Sequence, residues 1–97
     1  MSEPTRIILH PCDWRSKANF YDEILPQLGA PDWHWRNLDA LEDSLVAGQI
    51  NRVEPPLLIE IYKPDQAARF TAAIIEAMTD IAREASQSGR MISIEIT

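Results

Sequence analysis

Arg6-Ile7-Ile8-Leu9-His10, closed by Pro11, is the segment on which the fold turns. Its apolar centre does not alternate with polar residues, so as a strand it must be covered on both faces, the usual situation in a parallel sheet. That reading puts it at the middle of the sheet. Two further β-prone runs can lie beside it. Leu57-Leu58-Ile59-Glu60-Ile61-Tyr62 follows the turn signal Pro55-Pro56, and Met91-Ile92-Ser93-Ile94-Glu95-Ile96-Thr97 alternates apolar with polar as an outer strand should. Stretches with helical spacing separate the runs, and parallel neighbours need such crossovers, overwhelmingly right-handed ones. The predicted architecture is α/β: a small three-stranded parallel sheet flanked by three to four helices, in one domain over residues 1–97.

Ser16 is a cap for a first helix with Phe20, Ile24 and Leu28 on one side and Tyr21 and Leu25 beside them. Pro26 should kink its last turn, and Gly29 and Pro31 end it. Trp14 reads as packing this helix onto the sheet. Gly48 stops the next helix. After the second strand, Pro64 and Asp65 begin a region in which Phe70, Ile74, Met78, Ile81 and Ala85 form one apolar stripe, ended by Gly89. One helix over residues 65–87 would be about 34 Å long, so a bend near Ala72 is expected.

The segment richest in functional information is Pro31-Asp32-Trp33-His34-Trp35-Arg36-Asn37-Leu38-Asp39-Ala40-Leu41-Glu42-Asp43. Asn37 is a preferred helix cap, and Leu38, Leu41 and Leu45 make the buried face of the helix that follows. Asp39, Glu42 and Asp43 then fall at i, i+3 and i+4 on the other face, with no Lys or Arg between them. Such a face wants a cationic partner. The plainer alternative is that acids favour the first helical turn through the helix dipole.

Composition agrees with a small binding domain. The chain has 97 residues, 45% hydrophobic and 25% charged, enough for one modest core. A formal net charge of -6 argues against nucleic acid as a direct ligand, because phosphates would be repelled, whereas a basic protein would be attracted. Cys12 is the only cysteine, and nothing at the N-terminus combines a basic region with an apolar run of signal-peptide length, which predicts a reducing cytoplasm. No apolar stretch is of membrane-spanning length, and no metal, phosphate or other cofactor motif is present.

The run Asn37-Leu38-Asp39-Ala40-Leu41-x-Asp43, preceded by Pro31 and two aromatics, resembles the barstar family of intracellular inhibitors of a secreted bacterial ribonuclease. The resemblance continues without a gap through residues 56–83, and Arg83-Glu84-Ala85 with Gly89 before an Ile-rich strand matches the family's end. It implies a non-enzyme, a monomer when free, whose acidic helix and aromatic loop bind a basic protein, a secreted ribonuclease. Carried over, Asp43 takes the place of a substrate phosphate, Asp39 and Glu84 contact the rim, and Trp33 packs on the enzyme surface. The implied binding set is Trp33, His34, Trp35, Asn37, Asp39, Glu42, Asp43, Val46 and Glu84.

Three departures bear on which partner is recognised. Glu42 stands where the family usually has an aromatic, Trp35 puts a bulky ring where the loop commonly has glycine, and Val46 replaces a small hydroxyl residue. An alternative is therefore a barstar-like interaction or immunity module for a basic partner that is not a ribonuclease. Other readings stay open for single residues. Trp33 and Trp35 could be core or lid aromatics, and Glu84 could pair with Arg83 or Arg90. Cys12 with His10 or His34 lacks an oxyanion motif, and Asp39 with Asp43 lacks a second arm converging on them, so neither pair makes a persuasive catalytic site.

Overall fold

The computed structural model describes residues 3–62, 66 and 68–97. The chain runs β1 (Thr5–Leu9), a 3-10 turn (Pro11–Asp13), α1 (Lys17–Leu28), α2 (Leu38–Glu42), a π-helical turn (Asp43–Ala47), β2 (Leu57–Ile61), α3 (Arg69–Gln87) and β3 (Ile92–Ile96). The three strands form one parallel sheet in the order β1-β2-β3. Ile7 pairs with Ile59, and Ile59 with Ile94, so one face carries a continuous isoleucine row. Onto the core pack Phe20, Ile24 and Leu28 of α1, Leu41 and Leu45, and Ile74, Met78 and Ala85 of α3, all essentially buried.

The middle strand is β2, not β1, which corrects the expectation drawn from the Ile-Ile-Leu run. β1 lies at an edge, and its cover comes from α1 side chains instead of a second strand. The Ile8 amide donates to Gln27 Oε1 at 2.8 Å, Gln27 Nε2 donates to the Ile8 carbonyl at 2.7 Å, and the His10 amide donates to Glu23 Oε1 at 2.8 Å. A side-chain amide thus replaces a neighbouring strand. Trp14 joins the same seam, with Nε1 on Glu23 at 2.9 Å and its ring edge-on to Phe20.

Ser16 precedes α1 as expected, and Asn19 Oδ1 accepts from the amides of Arg15 and Ser16. The helix continues through Pro26 to Leu28 and ends at Gly29, whose φ of +65° is the left-handed conformation a glycine C-cap supplies. α3 is one uninterrupted helix from Arg69, with the Ala72 amide bonded to the Ala68 carbonyl. Gln66 and Ala68 are not helical, so the helix is shorter than the expected span, while the start expected at Pro64 and Asp65 lies outside the described residues. Nineteen residues at 1.5 Å each give about 28 Å, which fits the domain with no breaker at Ala72.

The π turn holds the acidic segment to the rest of the fold. Its last amide bond runs from Gly48 to the Asp43 carbonyl, and Arg90 Nε donates to the Leu45 carbonyl at 2.7 Å while Nη2 pairs with Glu54 at 2.6 Å. Gly48 has φ +81° and ψ −172°, and a Cβ there would lie 2.3 Å from Arg90 Nη1. Gly48→Ala combines that backbone strain with displacement of a pinned guanidinium, so a loss on the order of 1–3 kcal/mol is expected. Thermal unfolding within a degree of the wild type would contradict it.

Candidate protein-binding surface

The acidic helix is oriented by its cap and its leucines. Asn37 Oδ1 accepts from the Ala40 amide at 2.8 Å, a bond that fixes where α2 begins, so Asn37 acts through the helix it starts. Leu41 and Leu45 are buried and Leu38 is half-buried, which turns Asp39 and Asp43 fully outward and leaves Glu42 half-exposed. Val46 lies half-buried against the core, in the π turn beyond Asp43. Among the described residues no ion pair reaches Asp39, Glu42 or Asp43; Arg36, the cation nearest in sequence, is engaged with Asp22 and with the Ala18 carbonyl.

α3 adds a fourth carboxylate. It packs against the π turn, and Glu84 stands exposed with its carboxylate close enough to Glu42 to repel it. Neither arginine anticipated for Glu84 takes it, since Arg83 pairs with Asp80 at 3.4 Å and Arg90 with Glu54. The Glu84 carboxylate beside it, with smaller contributions from Asp39 and Asp43, holds the Glu42 carboxyl above its ordinary value. A carboxyl raised on folding binds its proton more tightly in the native state, so its repulsion is absent at low pH and grows as pH rises through the raised value. Glu42→Gln is therefore expected to raise the thermal midpoint at neutral pH and to lose that advantage below the ordinary carboxylate range. Melting curves recorded across that interval check it, and an advantage independent of pH would show that packing, not charge, is responsible.

The aromatic loop divides by exposure. Trp33 and Trp35 are 67% and 73% exposed, whereas His34 between them is 7% exposed and points inward. His34, expected among the contact residues, is buried in the free protein, where it holds the loop. Its Nδ1 faces the Trp35 carbonyl at 2.7 Å and donates there, and its Nε2 meets Ser44 Oγ at 3.0 Å; Ser44 Oγ also lies 3.1 Å from the Leu41 carbonyl. One imidazole ties the loop to the turn that carries Asp43. Between them lies a cleft of about 200 Å³ lined by Trp33, His34, Trp35, Ala40, Asp43 and Ile50. Trp35 needs no left-handed backbone, because Gln49 is the only non-glycine with positive φ among the described residues.

A match to the family model of barstar, described as the barnase inhibitor, covers residues 7–97. This chain belongs to the barstar family. Family membership implies inhibition rather than catalysis, and a barstar-type inhibitor needs a surface that enters its partner more than a cavity of its own. A larger cleft of about 420 Å³, bounded by Tyr21, Arg36, Leu38, Asp39, Phe70 and Ile74, lies behind the start of α2 and contains none of Glu42, Asp43 and Glu84. His10 is stacked on Tyr62 and bonded to Glu23, His34 is bonded to Ser44, and neither ring is hydrogen-bonded to Cys12. Among the described residues no group of three His, Cys, Asp or Glu side chains is placed to hold a metal, and no helix is long and apolar enough to cross a membrane.

The sequence does not single out Ser44, and it offers Arg90 only as a partner for Glu84. A serine six places into an amphipathic helix gives no sign that it will meet a histidine ten residues earlier. Arg90 is an ordinary basic residue until the fold brings it to the Leu45 carbonyl, 45 positions away.

Proposed function

We propose that this chain blocks the active site of a basic bacterial ribonuclease of the barnase type, acting inside the cell as one inhibitor copy per enzyme. The reading is carried by one observation: four carboxylates from two helices, free of ion pairs among the described residues, lie beside two exposed tryptophans in a barstar-family chain. An enzyme that cuts a phosphodiester must gather cations around the scissile phosphate, so its empty site is a concentrated positive field. A rigid helix presenting carboxylates can fill it. Asp43, at the junction of α2 and the π turn and on the edge of the tryptophan cleft, is the phosphate mimic. Asp39 and Glu84 meet cations at the rim, and Trp33 and Trp35 supply apolar contact, the residue type most enriched at binding hot spots.

Glu42 tunes this reading toward a particular partner. A glutamate pressed against Glu84 costs stability in the free protein, and it favours an enzyme whose facing patch is more strongly basic. Because binding favours the ionised pair, affinity should fall as pH drops through the raised Glu42 value.

Stopped-flow association with a barnase-type ribonuclease over a range of salt tests the electrostatic basis. The on-rate should fall steeply as ionic strength rises, since steering acts over a Debye length of about 8 Å at physiological salt. A flat profile would exclude the acidic surface as the docking face. The same steep profile with a basic protein that does not cleave RNA, and none with ribonucleases, would support the immunity-module alternative.

A further inference from the structure

The two edges of the sheet are finished differently. On β1 the outward groups belong to even-numbered residues, because Thr5 and Leu9 bond inward to Pro56 and Tyr62, and those of Ile8 and His10 are taken up by Gln27 and Glu23. On β3 the Met91 carbonyl and the Thr97 amide face β2, so the backbone of Ile92, Ile94 and Ile96 points outward. The Ile92 amide bonds to the Arg90 carbonyl, and the Ile92 carbonyl takes a long 3.4 Å contact from Ser86 Oγ. Among the described residues, nothing caps the amides and carbonyls of Ile94 and Ile96. Beside this open edge sit apolar side chains in water, with Met91 72% and Ile96 49% exposed.

We propose that β3 is a self-association edge, on which a second copy of this chain adds its own β3 antiparallel to give a continuous six-stranded sheet. The occupant follows from the strand's own pattern. Only registers that oppose even residues can bond, and three of them keep at least three residue pairs within the strand. Pairing Ile94 with Ile92 of the second copy leaves Ile96 without a partner inside the strand and calls on the Ile92 amide, which the Arg90 carbonyl already holds. Pairing Ile94 with Ile96 of the second copy would set Glu95 against Glu95, a like-charge contact. Pairing Ile94 with Ile94 sets Glu95 against Ser93 at both crossings and Ile92 against Ile96, because Ile92-Ser93-Ile94-Glu95-Ile96 is nearly palindromic about Ile94. In that register the Ile94 amides and carbonyls bond each other, and each Ile96 amide reaches the carbonyl of Ile92. The isoleucine row of the core face runs on across the two-fold axis. The expectation of a monomer then holds for dilute protein only.

Charge gives this contact a signature opposite to that of ribonuclease binding. Two copies of charge -6 repel, so salt must strengthen the dimer while it slows the inhibitor's approach to a basic partner. Sedimentation of the full chain from micromolar to millimolar concentration should show a shift from 11.0 kDa toward about 22 kDa, more complete at high salt. Amide exchange at Ile94 and Ile96 should slow as concentration rises. Ser93→Glu should weaken the dimer roughly tenfold by placing like charges at both crossings, and Ser93→Glu with Glu95→Lys should restore it. An 11.0 kDa species at every concentration, with exchange at Ile94 and Ile96 unchanged, would overturn the proposal. So would a dimer indifferent to Ser93→Glu, which would place the contact elsewhere, such as on the exposed Trp33 and Trp35.

Discussion

Asp43→Ala is expected to weaken inhibition roughly 100-fold or more, and Asp39→Ala by tenfold or less. The two residues are chemically identical and both exposed in the free protein, so the difference arises in the complex. Asp43 lies at the tryptophan cleft, where Trp33 and Trp35 can shield the contact from water once a partner covers them. Removing a desolvated charge leaves the enzyme's cations buried and unpaired, on the order of 3–5 kcal/mol, whereas an exposed pair is worth about 1 kcal/mol or less. Faster dissociation should carry most of the loss. Inhibition constants for both variants, after circular dichroism has shown that each keeps the fold, decide it. Equal losses would remove the phosphate-mimic role from Asp43.

His34→Ala should be the most damaging change in the loop, although the side chain is buried in the free protein. It leaves a void beside Ser44 and abandons the Trp35 carbonyl, for a loss of stability on the order of 2 kcal/mol or more. Inhibition should weaken too, because Trp33 and Trp35 must then be ordered when the partner arrives. His34→Phe separates volume from hydrogen bonding. If it matches the wild type in thermal midpoint and in affinity, filling the space is enough and the tether described here is unnecessary.

Helix and strand identity were largely legible because single-residue patterns specify them: the buried faces of α1 and α3, the Asn37 cap and the strand runs all follow from spacing. Strand order was not legible. An apolar run reports that a strand is covered, not by what, and Gln27 and Glu23 of α1 cover β1 as a neighbouring strand would. The start of α3 at Arg69 was missed because the apolar stripe begins only at Phe70, leaving Pro64 and Asp65 as weak guides. At the surface, the outward turn of Asp39 and Asp43 was readable from the leucines. The inward turn of His34 was not, because it depends on Ser44 and on a π turn that no local signal announces.

The most direct test of the central claim is titration of a barnase-type ribonuclease with this chain while RNA cleavage is followed, with and without a mononucleotide that occupies the enzyme's active site. The account predicts that activity falls to zero at one equivalent and that the mononucleotide slows association in proportion to its occupancy, since carboxylates and phosphate compete for the same cations. Stoichiometric binding that leaves RNA cleavage intact, or inhibition that the mononucleotide does not affect, would contradict it.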